Sequence, residues 1–204
     1  MARTVEGCFP SCQPVAQILL GWAHAQSGRA EEGIAEMRGG LEAWTAAGSK
    51  EFLSQLLALL AEGYALAGRV EEGLNTLREA WEHVERSDER YYEAELHRLQ
   101  GELLLQRGQA GSSRLSEAEA EAETWFQKAI AVARQQEARS WELRATLSLA
   151  RLWQRQGKRA EAHAALVAIY GWFTEGFETP DLQEARALLE ELAAELALGS
   201  RSCR

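Results

Sequence analysis

Residues 28–33 read Gly-Arg-Ala-Glu-Glu-Gly, and residues 68–73 repeat them as Gly-Arg-Val-Glu-Glu-Gly. A related step, Gly-Lys-Arg-Ala-Glu-Ala, occupies residues 157–162. Gly28 and Gly68 are 40 residues apart, and Gly108 follows at the same interval. A fixed period of this size is typical of stacked helical hairpins rather than of one globular core. The period therefore predicts a repeat architecture, which offers a surface for binding rather than a catalytic pocket.

The composition predicts that the hairpins are entirely helical. The 204-residue chain has three prolines, Pro10, Pro14 and Pro180, and so none between residues 15 and 179. Alanine, leucine, glutamate, glutamine and arginine dominate that stretch, and these residues have the highest helix propensities. We expect an all-α chain.

Small residues recur at fixed offsets from the turn glycines. They lie seven residues before the glycine and five residues after it, one on each side of the turn. Small side chains at both positions let the two helices of a hairpin approach closely. The residues before the turn are Gly21, Ala61, Gly101 and Ala150, and those after it are Gly33, Gly73 and Ala162.

The alignment predicts four hairpins, at residues 14–47, 51–86, 91–136 and 140–170. In the third hairpin we expect the first helix to end at Gly108, and a loop-like insertion of about nine residues follows. Residues 171–198 are predicted to form a loop and a capping helix, with Thr179 as N-cap and Pro180 in the first turn. Segments 1–13 and 199–204 are predicted to be flexible tails. The stripe expected to cover the last hairpin consists of Leu182, Ala185, Leu188, Leu189, Leu192 and Leu196.

The spacing of small and aromatic residues resembles the tetratricopeptide repeat (TPR), lengthened to 40 residues. This resemblance implies a right-handed α-solenoid of four TPR-like hairpins plus a capping helix. The stretches 94–105 and 170–182 are similar to the C-terminal repeat region of bacterial adenylate/guanylate cyclase–STAND ATPase signalling proteins. No Gly-x4-Gly-Lys-Ser/Thr phosphate loop occurs in the sequence. The resemblance therefore implies only the role of the repeats, which is to sense or dock a partner.

Charge and cysteine content favour a cytoplasmic protein that binds neither nucleic acid nor membranes. The net charge is −9, whereas phosphate binding requires a basic face. No stretch reaches the 18 or so continuous apolar residues of a membrane span. Cys8 and Cys12 lack a second pair of ligands, so the sequence does not predict a zinc site, and free thiols, Cys203 included, suit a reducing compartment.

The sequence predicts a non-enzymatic protein without cofactor or metal. It contains no metalloprotease helix motif, nucleophile elbow or paired cysteine and histidine. The four histidines, His24, His83, His97 and His163, fall in different hairpins. His97, next to Arg98, has the most catalytic surroundings, but its register position is one that the second hairpin fills with Leu57. We expect a structural histidine there.

The resemblance implies that the first helix of each hairpin lines a concave groove, which we predict to bind a protein or peptide. Arginines on the fourth hairpin form one helical stripe. Either they clamp an acidic segment, or Arg144 and Arg151 pair internally with Glu95 and Glu102. The alternative function is small-molecule sensing in the groove, and self-association through the N-terminal hairpin is a further possibility. The candidate residues are Trp22, Gln26, Gln55, Glu62, Glu95, Arg98, Glu102, Arg144, Arg151 and Arg155.

Overall fold

The computed structural model describes residues 12–110 and 115–202, which form nine α-helices and no strand. The chain divides into two compact units, Met1–Tyr92 and Glu93–Arg204. The all-α class, the helical hairpins and the additional C-terminal helix are confirmed. No helix within the described ranges combines the length and apolar character needed to cross a membrane.

The first unit contains two helical hairpins. They are formed by α1 (Cys12–Gln26) with α2 (Ala30–Ala46) and by α3 (Leu53–Leu66) with α4 (Val70–Ser87). The turn glycines Gly28 and Gly68 have φ of 88° and 71°, a conformation that L side chains rarely adopt. Both hairpin turns of the first unit therefore lie at glycines, which readily adopt the left-handed backbone conformation.

Helices α1 and α2 touch through their backbones at the small positions predicted from the repeat. A Cβ atom added to Gly33 would lie 2.3 Å from the carbonyl oxygen of Gly21 and 2.8 Å from the amide nitrogen of Ala25. A Cβ on Gly21 would lie 2.6 Å from the carbonyl oxygen of Gly33. Only glycine fits both positions without a shift of one helix.

The second unit contains two hairpins and the final helix. Its helices are α5 (Glu93–Ala110), α6 (Leu115–Gln135), α7 (Arg139–Arg155), α8 (Arg159–Tyr170) and α9 (Pro180–Ser202). Gly157 turns between α7 and α8 with φ 78°. Gly108 instead lies inside α5, so the third 40-residue step does not coincide with a turn. The helix continues because Gln109 and Ala110 are good helix formers.

Helix α9 covers the last hairpin, as its apolar stripe predicts. Leu182, Ala185, Leu188 and Leu192 are buried in one core with residues of α7 and α8, and Leu189 packs against it partly buried. Leu196, one turn further, is 36% exposed. The Thr179 hydroxyl donates to the carbonyl of Gly176 (2.8 Å), which tightens the turn before the helix.

The observed helix limits differ from the predicted ones at several places. Helix α1 begins at Cys12, inside the predicted N-terminal tail, and α9 continues to Ser202, inside the predicted C-terminal tail. Helix α6 begins at Leu115, within the segment predicted as an insertion. The rest of the predicted tails, residues 1–11 and 203–204, and residues 111–114 of the insertion lie outside the described residues.

Candidate functional site

In the first unit, the candidate residues of α1 and α3 lie side by side. Trp22 on α1 donates its indole Nε1–H to Glu62 Oε2 on α3, at 2.6 Å. These residues are 40 positions apart, so equivalent turns of the two first helices are neighbours. The same offset aligns Gln26 with Leu66 and Leu19 with Leu59.

We call these six residues the α1/α3 strip: Leu19, Trp22 and Gln26 on α1, and Leu59, Glu62 and Leu66 on α3. Leu19 and Leu66 are 47% and 49% exposed, and Trp22 is partly exposed between them. The strip therefore exposes two leucines and part of one hydrogen-bonded indole beside the polar Gln26 and Glu62, whereas Leu59 is buried. Leu19 was not among the predicted site residues, although its spacing from Trp22 and Gln26 places it on their helical face.

Gln55 lies one turn before Leu59 on α3. Its side-chain oxygen accepts a hydrogen bond from the Tyr91 hydroxyl, at 3.0 Å. Gln26, by contrast, is exposed at the end of α1. Of these two predicted residues, Gln26 is the more accessible to a partner.

In the second unit, the candidate residues of α5 and α7 form a charged cluster around Glu95. The Glu95 side chain is buried, 2% exposed, and accepts hydrogen bonds from Arg98 Nε (3.0 Å) and Nη2 (2.7 Å). Arg144 Nη2 on α7 lies 3.1 Å from Glu95 Oε1. Burial alone raises the pKa of Glu95, but the two guanidinium groups outweigh it and hold that pKa below its usual value.

Glu102 completes this cluster. It accepts a hydrogen bond from the Ser148 hydroxyl, at 2.6 Å, and its carboxylate lies 3.7 Å from Arg98 Nη1. Two arginines thus face two glutamates in the Glu95 cluster, and their formal charges cancel. Of the two predicted alternatives for Arg144, the ion pair with Glu95 is the contact present in the structure.

Arg151 and Arg155 continue along α7 beyond the Glu95 cluster. One of the two predicted alternatives paired Arg151 internally with Glu95 or Glu102, but in the structure it pairs with Glu184 on α9, at 2.7 Å. Both side chains of this pair are largely exposed, at 54% and 40%. Arg155 is exposed and makes no hydrogen bond or ion pair with any residue that the structure describes. These two arginines are one helical turn apart and accessible to an anion.

Two histidines, His97 and His24, are not part of the α1/α3 strip and have distinct surroundings. His97 stacks against Trp125 with ring centroids 5.3 Å apart, and burial, helped by Lys128, lowers its pKa to about 4. It is therefore neutral at pH 7. His24 is hydrogen-bonded to Glu36 (Nδ1–Oε2 2.7 Å), and with Glu32 these residues place three possible metal-ligating atoms within 4.8 Å of one another.

Comparison with solved structures identifies the fold. A protein described as a kinesin light chain with nearly identical TPR-like repeats, from Podosopora anserina, is 19% identical to this chain. The match covers 95% of this chain and 99% of that one, with a TM-score of 0.60. A single-substitution variant of that protein matches equally well, at 18% identity and a TM-score of 0.60. No family model and no curated protein matches. The chain therefore has a TPR-like fold.

Proposed function

We propose that this chain is a non-enzymatic scaffold that binds a protein or peptide segment on the α1/α3 strip. The observation that carries the proposal is the partly exposed Trp22 between the exposed leucines Leu19 and Leu66. Tryptophan is enriched among the residues that dominate binding energy, and the large apolar area of the Trp22 ring is what it offers a partner here. The bond to Glu62 fixes the indole in advance and so lowers the entropy lost on binding.

A second part of the proposal concerns acidic groups on the partner. Arg155 supports it most, since it is exposed and arginine binds carboxylates through two parallel hydrogen bonds. Arg151 is exposed one turn away, but it already pairs with Glu184. Arg98 and Arg144 support it less, because their charges already meet those of Glu95 and Glu102. We therefore assign the acidic contact to the end of α7.

The test of the strip is selection of peptides from a display library, followed by titration of synthetic peptides by fluorescence anisotropy. We expect Trp22→Ala to weaken binding at least about tenfold, since hot-spot tryptophans typically contribute 2 kcal/mol or more. Trp172→Ala is the matched control, because Trp172 is 57% exposed but lies in the loop before α9. Equal affinities of the two variants would contradict the proposal, provided that both retain the helical content of the parent.

The same variants test small-molecule sensing, the alternative predicted from the sequence. A metabolite that stabilises the parent chain but not Trp22→Ala in a thermal-shift screen would favour small-molecule sensing over peptide binding. For acidic peptides, Arg155→Glu should weaken binding, whereas Arg186→Glu, the same charge change on an exposed face of α9, should not.

We further propose self-association through α1. Leu20 supports it, because it is 52% exposed on a face of α1 adjacent to the strip. Leu20→Lys is expected to reduce the mass-average molar mass that light scattering measures at high protein concentration. A parent chain that stays monomeric across the dilution series would contradict this proposal.

Finally, we propose that the scaffold is the sensor or regulatory part of a bacterial, cytoplasmic signalling protein. The support is the resemblance of residues 94–105 and 170–182 to repeat regions that follow cyclase and ATPase domains. An ATPase or cyclase reading frame next to this one in the genome would agree with the proposal. Neighbouring genes without such a domain would contradict it.

A further inference from the structure

Two adjacent cavities open in the first unit, on the side of α3 opposite the α1/α3 strip. Leu53, Leu57 and Leu60 line them, whereas Leu59, Glu62 and Leu66 of the strip lie on the other face of this helix. The first cavity, of about 360 Å³, has a buried floor of Leu41, Leu57 and Leu60; we call it the leucine chamber. The side chains of Arg38, Glu42, Glu79 and Glu82 stand at its rim, where they are exposed.

The second cavity, of about 340 Å³, differs from the first in charge; we call it the cationic chamber. Its lining includes Lys50, Arg86 and the hydroxyl-bearing Ser49 and Ser87, and none of the described residues that line it carries a carboxylate. The two chambers share the wall residues Thr45, Leu53, His83 and Arg86, so they are adjacent. The lining changes from a leucine floor with a mixed-charge rim to cations and hydroxyls.

His83 belongs to the wall of both chambers and has an unused polar atom. The residue is 7% exposed, and its Nε2 forms no hydrogen bond with any described group. The nearest carboxylate oxygen, Glu89 Oε2, is 3.7 Å away, beyond hydrogen-bond distance. Glu89 is occupied elsewhere, because it accepts from the Phe52 amide (2.9 Å) and the Ser54 hydroxyl (2.6 Å). His83 therefore contributes to the chamber wall through its ring rather than through Nε2, which is buried towards Glu89.

We propose that the two chambers bind a small amphiphilic carboxylate, with its alkyl chain on the leucine floor and its carboxylate between Lys50 and Arg86. The apolar lining with a few convergent polar groups is typical of small-molecule sites, and the volume falls in their usual range. Lys50 and Arg86 place two positive charges on the second chamber, which favours an anionic head group there. This site is separate from the proposed peptide surface and does not depend on it.

The probe is octanoate, titrated into the full chain by isothermal titration calorimetry, with octanol as its uncharged counterpart. We expect octanoate to bind at least about tenfold more tightly than octanol, because only the carboxylate meets Lys50 and Arg86. The double variant Lys50→Ala/Arg86→Ala should remove this preference and leave octanol binding unchanged. Both side chains are exposed, so their loss leaves the core intact.

Arg78→Ala is the control for charge, since it removes a positive charge from the same helix and Arg78 lines neither chamber, although it lies 3.7 Å from the rim residue Glu82. It should bind octanoate like the parent. Absence of octanoate binding would overturn the proposal, as would equal affinity for octanol or an unchanged affinity in the double variant. Binding of a peptide with a C-terminal leucine and a free carboxylate, in place of octanoate, would also overturn it in favour of a peptide site.

Discussion

Replacing Glu95 with alanine is expected to destabilise the second unit by about 3–5 kcal/mol, the usual cost of removing one partner from a buried ion pair. The substitution leaves Arg98, which is 8% exposed, and Arg144 facing each other without the carboxylate between them. Glu102 remains 3.7 Å from Arg98 and offsets part of the loss, so we expect the lower half of that range. Urea unfolding followed by circular dichroism measures the change.

Glu121→Ala is the control for this prediction. Glu121 is an exposed acidic residue of α6, so its loss changes the net charge equally without opening the Glu95 cluster. We expect an effect within about 0.5 kcal/mol, as for other exposed substitutions. Similar losses in the two variants would mean that the Glu95 cluster contributes no more than a surface charge does.

The pH dependence of the Glu95 effect has a defined sign. The pKa of Glu95 is lower in the folded chain than in the unfolded chain, so the ionised form favours folding. The resulting stability is fully present above the unfolded pKa of about 4.3 and is lost as the pH falls through the folded value. Glu95→Gln, which imitates the protonated form, should therefore differ most from the parent near pH 7. The difference should shrink as the solution is acidified.

The repeat period explains how much of the fold could be predicted from the sequence. Register alone indicates that Gly21 and Gly33 are in contact, and the backbones do touch there. It also indicates that Trp22 and Glu62 share a surface, and they are hydrogen-bonded. The glycine contact is predictable because backbone atoms make it, and the period fixes where those lie; for Trp22 and Glu62 the period fixes the shared surface but not the hydrogen bond. The predicted helix end at Gly108 was wrong, because the residues after a glycine decide whether the helix continues through it.

The candidate site was less predictable, because long side chains choose partners that lie outside the repeat. Arg151 pairs with Glu184 of α9, a helix that has no counterpart in the preceding hairpins, rather than with Glu102. The chambers around His83 are formed by three helices and the α2–α3 loop together, and no spacing within one helix marks them. Register predicts which helix faces meet, but not how flexible side chains fill the space between them.

Replacing Gly33 with alanine is expected to destabilise the first unit by about 1–3 kcal/mol, the usual cost of overpacking. Alanine is favoured over glycine inside a helix by about 1 kcal/mol, so steric strain must exceed this gain for a net loss. The added Cβ meets the Gly21 carbonyl oxygen at 2.3 Å and the Ala25 amide nitrogen at 2.8 Å. Both are backbone atoms, so relief requires one whole helix to move. Urea unfolding measures the change.

Gly39→Ala, on the same helix, separates strain from helix propensity. Its Cβ would meet only the end of the flexible Gln17 side chain, at 3.0 Å, so this variant should gain up to about 1 kcal/mol. If Gly33→Ala is stabilised equally, the backbones of α1 and α2 do not approach as closely as the structure has them. The double variant Gly21→Ala/Gly33→Ala sharpens the test. One separation of the two helices relieves both clashes, so the combined loss should be smaller than the sum of the single losses.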